Sequence, residues 1–498
     1  MKTWILCIVA STISILSQAQ LQTALQQVMA DNQLMGYSVV TICNGEIDEI
    51  ANGGLKDYSL NLPVDDSTMY RIASISKLVT ATGLMNLYEE NAFSLDEDIS
   101  EAMGAVVRNP NFPDVPITYR MLLSHTSSIQ DGNGYSDFLS ATYNSGPNAP
   151  NVTEYLLEEG DYYETNNWRT EQPGTFFTYS NANFGIIGTL IEKLSGMRFD
   201  AYMKMAVLDP LEIAGSFNVA DIGNISNVAA IYRNVSNSWQ AQVDNFQGIA
   251  PSAADFSSYV PGTNGFIFAP QGGLRISAFD LAKIMLVHSN LNPGVLESTT
   301  IELMHTPQWT YDGANGDNYY GLFRSWGLGV HITTNADYGD IVFDGETMIG
   351  HPGEAYGLIS DMYFGSQNGS GFIFITNGCF EGYTFGNNSA FYSVEEEIFD
   401  AIFSQNIFNC VVGVEETTDL PFQVFPNPAQ AEAIIRFNSQ ETPTKIVVRD
   451  VTGRLVWEQN ILSGREIRLE ISSWSSGTYG IEVHSGDRLF HTWIQKKP

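Results

Sequence analysis

Basic residues are scarce in this sequence. Of its 498 residues only 23 are Lys or Arg, against 56 Asp or Glu, and the formal net charge is −33. Because so negative a surface repels phosphates and anionic headgroups, nucleic acids and anionic membranes are excluded as principal partners. The 7 histidines are scattered and neither CxxC nor HExxH occurs, so we expect no metal site and no cofactor. The acidic cluster Asp131–Asp137 lacks the spacing of a calcium loop and predicts a turn.

Long apolar runs are also lacking, except at the N-terminus. Lys2 precedes the apolar segment Trp4–Leu16, and Ser17-Gln18-Ala19 then supplies a small-x-small site. This arrangement is typical of an export signal, and the run is too short to cross a membrane. Residues 1–19 are therefore predicted to be a signal peptide, and the mature protein is expected to have no membrane span. An N-terminal core helix is the other interpretation of this run.

Cysteine is rare as well. Without the signal peptide, the chain keeps Cys43, Cys379 and Cys410. An odd number permits one disulfide and one spare thiol in an exported protein. Cys379 follows a strand-like run and Cys410 follows the last predicted helix, which favours a Cys379–Cys410 pair. The alternative is three buried, reduced cysteines, since cysteine packs like a small apolar residue.

The charge divides the chain into two parts. Residues 422–498 contain nine basic and eight acidic residues, a net charge of +1, which leaves −35 for residues 20–421 once Lys2 is also set aside. A step of this size predicts two separately evolved modules. The polar segment 413–421 has no periodicity and ends in proline, so we interpret it as a linker. The predicted domains are accordingly 20–412 and 422–498.

Periodicity in residues 20–412 indicates an α+β fold. Two strand-like runs joined by Asn44-Gly45 predict a hairpin near the start, and helical patterns follow in the middle. Strands and a final helix are predicted at the end, so we expect one antiparallel sheet built from both ends of the module. The predicted helices are 21–34, 75–89, 184–194, 281–288 and 394–403, and the predicted strands are 37–43, 46–51, 326–332, 340–349, 355–364 and 371–376.

The C-terminal module has a different pattern, with short strand-like runs separated by turn residues. This pattern predicts a small β-sandwich. Its predicted strands are 424–427, 433–437, 445–450, 455–458, 466–471, 477–483 and 488–494.

Ser74 and Lys77 form an S-x-x-K motif at the start of a predicted helix. Positions i and i+3 share a helix face, which places the Lys77 amine beside the Ser74 hydroxyl. The positive end of the helix dipole also favours a developing alkoxide at Ser74. The motif alone matches many sequences by chance, and an ordinary solvent-facing helix start is then the simpler interpretation.

Two further segments change this interpretation. Tyr179-Ser180-Asn181 precedes a predicted helix, and His351-Pro352-Gly353 lies between two predicted strands. Each could be an ordinary turn. In the order S-x-x-K, Y-x-N, H-x-G, however, the chain resembles the serine β-lactamase-like and penicillin-binding family, in its branch of class C β-lactamases, DD-carboxypeptidases and related esterases. Two more segments resemble motifs of that family, namely Leu122–Ser128 (LLSHTSS) and Gln271–Ser277 (QGGLRIS).

The resemblance covers about Leu21 to Asn409 and implies the family's fold, an antiparallel sheet flanked by helices with an added helical lobe. It also implies catalytic roles. Ser74 would be the nucleophile that forms an acyl-enzyme, and Lys77 would hold or take its proton. Tyr179 would be the general base and later the acid, with a pKa lowered by Lys77 and neighbouring groups.

The resemblance further implies a set of substrate-binding residues. Asn181 would orient the substrate amide, and His351 would replace the Lys of the family's KTG motif, which Gly353 completes. The backbone N–H groups of Ser74 and Glu354 would form the oxyanion hole. His125, within the LLSHTSS segment, is expected to be structural.

The third motif departs from the family at Pro352. Proline has neither a hydroxyl nor an N–H to offer a substrate carboxylate, and Glu354 adds a negative charge beside the site. We therefore expect a secreted serine hydrolase with esterase or peptidase activity on small ester, amide or peptide substrates. A D-alanyl-D-alanine carboxypeptidase or β-lactamase is the first alternative, with Arg275 as a candidate carboxylate ligand. A catalytically inactive binding protein of the same fold is the second.

The C-terminal module also carries a resemblance. Val424–Pro428 (VFPNP), Asp450–Arg454 (DVTGR) and Ser476–Tyr479 (SGTY) resemble segments of the type IX secretion C-terminal sorting domain, and Gln495-Lys496-Lys497 fits its end. The resemblance implies the type IX secretion machinery as a partner and a location outside the cell or at its surface. A carbohydrate-binding or adhesive sandwich is the alternative.

Overall fold

The computed structural model describes most of the chain. The described residues are 20–289, 294–365, 369–380, 382–404, 422–437, 444–450, 454–460, 466–485 and 488–497. The predicted signal peptide, the predicted linker and Cys410 lie outside them. Over the described ranges, no helix combines the length and apolar character that a membrane crossing requires. The chain divides into two compact units, Met1–Cys410 and Val411–Pro498.

The first unit alternates helices and strands. In chain order they are α1 (20–31), β1 (Gly36–Cys43), β2 (Glu46–Asp57), β3 (Leu62–Pro63), β4 (Met69–Arg71), α2 (Ile75–Glu89), α3 (Ser100–Met103), α4 (Tyr119–Leu123), α5 (Asn133–Ser145), α6 (Thr153–Leu156), α7 (Asn181–Ser195), α8 (Phe199–Met203), β5 (Ile231–Asn234), β6 (Trp239–Val243), β7 (Arg275–Ser277), α9 (Ala278–His288), α10 (Ser298–His305), β8 (Trp309–Thr310), β9 (Ser325–Trp326), β10 (His331–Ile332), β11 (Met348–Ala355), β12 (Leu358–Gly365), β13 (Gly371–Thr376) and α11 (Ser393–Phe403).

A nine-stranded antiparallel sheet organises this unit. Its strand order is β3-β2-β1-β13-β12-β11-β10-β9-β8. β1 forms the predicted hairpin with β2 through Asn44 and Gly45, whose φ angles of 49° and 83° suit a tight two-residue turn. On its other side β1 pairs with β13, for example Val39 with Phe374. The prediction of one sheet built from both ends of the module is confirmed.

Both faces of the sheet are covered. Along β1, Val40 and Ile42 belong to one hydrophobic cluster, which also contains α2 and α9, whereas Tyr37 and Val39 belong to a second cluster with α1 and α11. This alternation follows from the two-residue repeat of a strand. The helices α3 to α8 extend the first cluster into a lobe beside the sheet. The predicted α+β class is confirmed.

The helix that carries the S-x-x-K motif has the predicted bounds, and α9 begins after Ser277, whose side chain accepts a hydrogen bond from the Asp280 N–H at 3.0 Å. The prediction around the third motif was wrong. The strand expected at 340–349 lies instead at Met348–Ala355, so His351-Pro352-Gly353 is inside β11 and the turn falls at Tyr356-Gly357.

A proline is tolerated inside β11 because of how the strand is paired. β10 pairs only with Ile349 and Gly350 of this strand. From His351 onward one edge of β11 has no strand neighbour among the described residues, and a proline on such an edge removes no ladder hydrogen bond.

The favoured Cys379–Cys410 pair was wrong, and so was the alternative of three reduced cysteines. Cys43 is disulfide-bonded. Cys379 is a buried thiol outside any disulfide, with its Sγ 3.8 Å from the backbone oxygen of Asn32. The thiol packs in the cluster that contains α1 and α11.

The second unit has the predicted small β-sandwich pattern. A three-stranded sheet of order β14-β15-β18 and a four-stranded sheet of order β17-β16-β19-β20 share one hydrophobic cluster. The strands are β14 (Phe422–Phe425), β15 (Glu432–Phe437), β16 (Lys445–Asp450), β17 (Leu455–Asn460), β18 (Glu466–Glu470), β19 (Gly477–Ser485) and β20 (Arg488–Lys496).

Candidate active site

The N-terminus of α2 brings Ser74 and Lys77 together. Ser74 is the residue before the first turn, and Lys77 Nζ donates a hydrogen bond to Ser74 Oγ at 3.0 Å. The preceding residue, Ala73, has a φ of 46°, a left-handed conformation that is uncommon for alanine and is often found at functional sites. The helix start therefore presents the hydroxyl and the amine as one hydrogen-bonded pair.

Lys77 is completely buried. Its Nζ also donates to Asn181 Oδ1 at 2.8 Å and to the backbone oxygen of Gln271 at 2.9 Å. Burial lowers the pKa of Lys77 to about 7, and the charge of Asp131 opposes this shift. A lysine with this pKa can gain or lose a proton near neutral pH, as a catalytic base must.

Tyr179 lies against the same pair, with the centre of its ring 4.8 Å from Lys77 Nζ. Rings of Phe323 and His125 flank it at centroid distances of 5.0 and 4.6 Å. Burial raises the pKa of Tyr179 well above its usual value, although a hydrogen bond with Ser74 opposes the shift. The expected lowering of this pKa was wrong, because desolvation in an aromatic setting outweighs the neighbouring groups.

Asn181 is held in one orientation from two sides. Its Nδ2 donates to Asp131 Oδ2 at 2.8 Å, while its Oδ1 accepts from Lys77. Asp131 also accepts hydrogen bonds from Ser180 Oγ at 2.9 Å and from the Asn181 and Ala182 N–H groups at 3.1 and 2.9 Å. Sequence reasoning assigned Asp131 to a turn and missed this cap of α7. The sequence offered one signal for this role of Asp131, which is that an acidic residue follows shortly after the LLSHTSS segment.

His351 is buried and does not line the cavity described below. Its Nδ1 lies 2.6 Å from the backbone oxygen of Pro352, and its ring is 6.1 Å from that of Tyr179. Burial, and to a lesser degree Lys77, hold the pKa of His351 well below its usual value. The ring is therefore neutral near pH 7 and cannot supply the positive charge of a lysine at this position.

Gly353 lies against the start of α2. A Cβ atom at this position would be 2.5 Å from Ser360 Oγ, 2.9 Å from the Ile72 oxygen and 3.2 Å from the Ser74 nitrogen. Only glycine allows the backbone of β11 to approach the Ser74 N–H so closely. The next residue, Glu354, has an exposed side chain whose carboxylate accepts a hydrogen bond from the Tyr392 hydroxyl.

These residues open onto one cavity of about 270 Å³. Ser74, Tyr179, Asn181, Gly353 and Glu354 all contribute to its wall. Pro352 of the third motif also lines the cavity. Sequence reasoning missed the remaining lining residues, which come from segments without a motif: Tyr319, Tyr320, Leu322, Phe323, Phe385, Ala390, Phe391, Tyr392 and Glu395. Among the described lining residues none is Lys, Arg or His.

Arg275, the candidate carboxylate ligand, is engaged elsewhere. Its guanidinium donates to Asp244 at 2.8 and 3.1 Å and to the backbone oxygen of Gly273 at 2.8 Å. It is buried and is not part of the cavity wall.

His125 is packed among the rings of the site. Its Nδ1 accepts a hydrogen bond from the Ser180 N–H at 3.1 Å, and the ring is buried between Phe177, Tyr179 and Trp326. Burial holds its pKa well below the usual value. These contacts support the expected structural role, since the ring positions the segment that carries Tyr179 and Asn181.

A comparison with protein families identifies the larger unit. Residues 21–385 match the family described as Beta-lactamase, which is well over half of the chain. The chain belongs to the Beta-lactamase family. The resemblance carried by the three motifs is thereby confirmed, and the chain is a member of a family of serine hydrolases.

Two curated relatives that the chain matches are distant in sequence. Protein flp of Staphylococcus aureus (strain MRSA252) is 24% identical over 197 residues, which are 40% of this chain and 37% of that protein. Penicillin-binding protein 4* of Bacillus subtilis (strain 168) is 27% identical over 194 residues, 38% of this chain and 39% of that protein. The alignments thus span about two fifths of the length of these relatives.

Solved structures confirm the fold. The octameric penicillin-binding protein homologue from Pyrococcus abyssi has a TM-score of 0.57 at 19% identity, and the match covers 96% of both chains. The D-amino acid amidase from Ochrobactrum anthropi SV3, complexed with L-phenylalanine amide, has a TM-score of 0.57 at 18% identity and covers 78% of this chain and 99% of that chain.

The smaller unit has its own family. Residues 423–496 match the Secretion system C-terminal sorting domain. The resemblance of the C-terminal module is confirmed, and this domain indicates export of the chain to the cell surface or beyond.

Proposed function

We propose that this chain is a serine hydrolase that forms an acyl-enzyme on Ser74 and prefers neutral esters or amides to substrates that end in a carboxylate. The observation that carries the proposal is the 3.0 Å hydrogen bond between Lys77 Nζ and Ser74 Oγ, together with a Lys77 pKa of about 7. An amine with this pKa is deprotonated often enough to accept the proton of the attacking hydroxyl.

The proposed chemistry begins with attack by Ser74 Oγ on the substrate carbonyl carbon. The Ser74 proton passes to Lys77 as the new C–O bond forms, and the oxygen of the carbonyl becomes negative. The N–H groups of Ser74 and Glu354 would stabilise that oxyanion. The Tyr179 phenol, which its raised pKa keeps protonated, would then pass a proton to the departing oxygen or nitrogen as the bond to the leaving group breaks. A water molecule hydrolyses the ester of Ser74 by the reverse route.

The substrate preference rests on what the cavity wall offers. A carboxylate would meet Pro352, which has no donor, and Glu354, which carries the same charge. The loss of one hydrogen bond to a charged group costs roughly 1.5–3 kcal/mol, about tenfold to a hundredfold in affinity or rate. Neutral esters and amides avoid both penalties. The amide chemistry of the D-amino acid amidase supports the inclusion of amides.

The nucleophile is tested by labelling the purified protein with a fluorophosphonate. We expect one label on Ser74 and essentially no turnover of a neutral ester by Ser74→Ala. Ser76→Ala is the matched control, because Ser76 Oγ accepts a hydrogen bond from the Leu274 N–H and points away from the pair. No label in a folded protein would favour the catalytically inactive binding protein, and equal losses in both variants would contradict the assignment.

The substrate class is tested by kinetics on a neutral ester, a penicillin and a D-Ala-D-Ala peptide. We expect the neutral ester to have the highest kcat/KM. Pro352→Thr, which restores a hydroxyl, should improve the carboxylate substrates and narrow the gap. If the peptide is the better substrate and Pro352→Thr changes nothing, the carboxypeptidase or β-lactamase alternative is favoured instead.

We also propose how the chain is divided into domains and exported. Residues 1–19 would act as a signal peptide, residues 20–412 would form the catalytic domain, and residues 413–421 would link it to the sorting domain at 422–498. The match of residues 423–496 to a sorting domain supports this division and the type IX machinery as a partner.

A further inference from the structure

The cavity beside Ser74 has an aromatic wall that is only partly used by the protein itself. The rings of Tyr320 and Phe385 lie 5.9 Å apart between centroids, and those of Phe385 and Tyr392 lie 6.0 Å apart. Tyr320 is 86% exposed and Phe385 is 61% exposed. Large rings that face solvent at the mouth of a catalytic cavity are suited to cover a bound molecule.

The charge in this cavity comes from Glu354. Its carboxylate accepts one hydrogen bond, from the Tyr392 hydroxyl, and no other side chain in the described part of the molecule donates to it. The second carboxyl of the wall, Glu395, is 4% exposed, and its burial beside Asp361 raises its pKa well above the usual value. Burial therefore favours the neutral form of Glu395, and the exposed Glu354 is the carboxyl group that the cavity wall presents to a ligand.

An ammonium group fits these two features together. A protonated amine needs hydrogen-bond acceptors with negative charge, and it is also attracted to the faces of aromatic rings. Glu354 accepts a hydrogen bond from Tyr392, which is one ring of the aromatic wall. The negative charge and the ring faces can therefore attract the same bound amine. No lysine, arginine or histidine among the described lining residues would repel such a group.

We propose that the enzyme selects esters or amides that carry a protonated amine, and that Glu354 determines this selectivity. The proposal rests on the proposed function, because it names the substrates of the same site. A neutral apolar substrate bound by the rings alone is the competing outcome, and the experiments separate the two.

The first experiment compares three para-nitrophenyl esters of one chain length at a pH where an alkylamine is protonated. The aminohexanoyl ester carries a positive charge and the hexanoyl ester carries none. The third ester has a 5-carboxypentanoyl group, derived from adipic acid, and carries a negative charge. We expect kcat/KM to fall in that order, with about tenfold or more between the first two. Added salt should reduce the difference, because it screens an exposed charge.

Glu354→Gln removes the charge and keeps the shape of the side chain. The readout is the ratio of kcat/KM for the aminohexanoyl and hexanoyl esters, which should fall towards one in this variant. Glu302→Gln is the matched control, since Glu302 is exposed on α10, undergoes the same change of charge and does not line the cavity. Its ratio should stay at the wild-type value.

The second experiment needs no turnover. Full-length Ser74→Ala protein is titrated calorimetrically with phenethylammonium, phenethyl alcohol and phenylacetate, which share one ring and differ in charge. We expect the ammonium compound to bind about tenfold or more tighter than the alcohol. Combining Ser74→Ala with Glu354→Gln should abolish that difference.

The two experiments have distinct failures. The ammonium selectivity would be overturned if the aminohexanoyl and hexanoyl esters had equal kcat/KM and the ammonium compound and the alcohol bound equally well. It would also be overturned if Glu354→Gln left these two ratios unchanged. Absence of turnover of the neutral ester by the wild type would overturn the proposed hydrolase, and the titration would still decide what the cavity selects.

Discussion

At the scale of single residues, Asp131 supports the chemistry without being part of it. Its carboxylate accepts four hydrogen bonds at the start of α7, and one of them comes from Asn181 Nδ2. Because that bond fixes the amide, Asn181 Oδ1 is the atom that faces Lys77. The same carboxylate raises the pKa of Lys77 through its charge, against the larger effect of burial.

Asp131→Asn is expected to change both the rate and its pH dependence. Loss of the fixed Asn181 orientation should lower kcat/KM about tenfold, an effect of roughly 1.4 kcal/mol. Loss of the negative charge should lower the pKa of Lys77 further, so the rise of kcat/KM with pH should begin at a lower pH than in the wild type. A pH profile of kcat/KM for a neutral ester measures both.

Asp137→Asn is the matched control for this prediction, because Asp137 is an exposed acid of α5 in the same region. It should leave the profile unchanged. A folded Asp131→Asn protein with a wild-type profile would show that the cap is only structural.

Gly353 determines how closely β11 approaches Ser74, the proposed nucleophile. In Gly353→Ala the new Cβ would meet Ser360 Oγ and the Ile72 oxygen at less than 3.0 Å, so the strand must move away from the Ser74 N–H. We expect kcat to fall about a hundredfold or more, as when one oxyanion donor is lost. The free energy of unfolding should fall by about 1–3 kcal/mol.

Assays of kcat and of Tm check this prediction, with Gly223→Ala as the control. No atom lies within 4 Å of a Cβ at Gly223, and its φ is not in the left-handed region. Near-normal turnover by Gly353→Ala would mean that this strand does not shape the oxyanion site.

The motif residues could be predicted from the sequence because their relation is local. Helical spacing places Ser74 beside Lys77, and Tyr179 and Asn181 share one short segment. Asp131, Glu395 and the aromatic wall could not be predicted, since their contacts join segments far apart in the chain. The direction of the Tyr179 pKa shift was missed for the same reason, because desolvation depends on the rings of Phe323 and Trp326 that tertiary packing brings to it.

At the scale of the elements, β12 and α11 bury two carboxyl groups against each other. Asp361 of β12 and Glu395 of α11 lie in the core, and neither Asp361 oxygen has a hydrogen-bond partner of normal geometry. Burial raises the pKa of Asp361 to about 8, well above its value of about 4 in an unfolded chain. A raised pKa of an acid makes a contribution to stability that is complete below about pH 4 and is lost as the pH rises through about 8.

Asp361→Asn should therefore stabilise the protein in mildly alkaline solution. The amide cannot ionise and can donate to Glu395, so the gain in Tm over the wild type should increase between about pH 5 and about pH 8. Asp400→Asn is the control, because Asp400 is exposed on α11, the helix that carries Glu395. Its Tm relative to the wild type should show no such trend with pH. A lower Tm of Asp361→Asn at the higher pH would contradict the shared burial of the two acids.

The elements themselves were predictable to different degrees. The helices α2, α9 and α11 have strong patterns and lie within three residues of their predicted bounds. The strand at 340–349 was misplaced because its apolar residues lie on both sides of the polar stretch 344–347, and because His351-Pro352-Gly353 has the composition of a turn. Whether proline is allowed in a strand depends on the pairing of the neighbouring edge, which the local sequence does not contain.

At the scale of the whole molecule, each unit has a hydrophobic core of its own. A chain that ends at residue 412 should therefore fold and hydrolyse a neutral ester with kcat/KM within about twofold of the full protein. In a bacterium with a type IX system, the shortened chain should be retained before the cell surface, as fractionation and blotting would show. Loss of intrinsic activity in the folded, shortened protein would mean that residues 413–498 help to shape the active site.

The pairing of β1 with β13 affects the order in which the sheet forms during synthesis. Partners such as Val39 and Phe374 are 335 residues apart in the chain, and closing so long a loop is slow and entropically costly. As the polypeptide leaves the ribosome, its first hairpin waits without a neighbour until the last third of the catalytic unit has been synthesised. Because β13 and β12 lie between β1 and β11 in the strand order, the two halves of the nine-stranded sheet cannot be joined until both strands have been made.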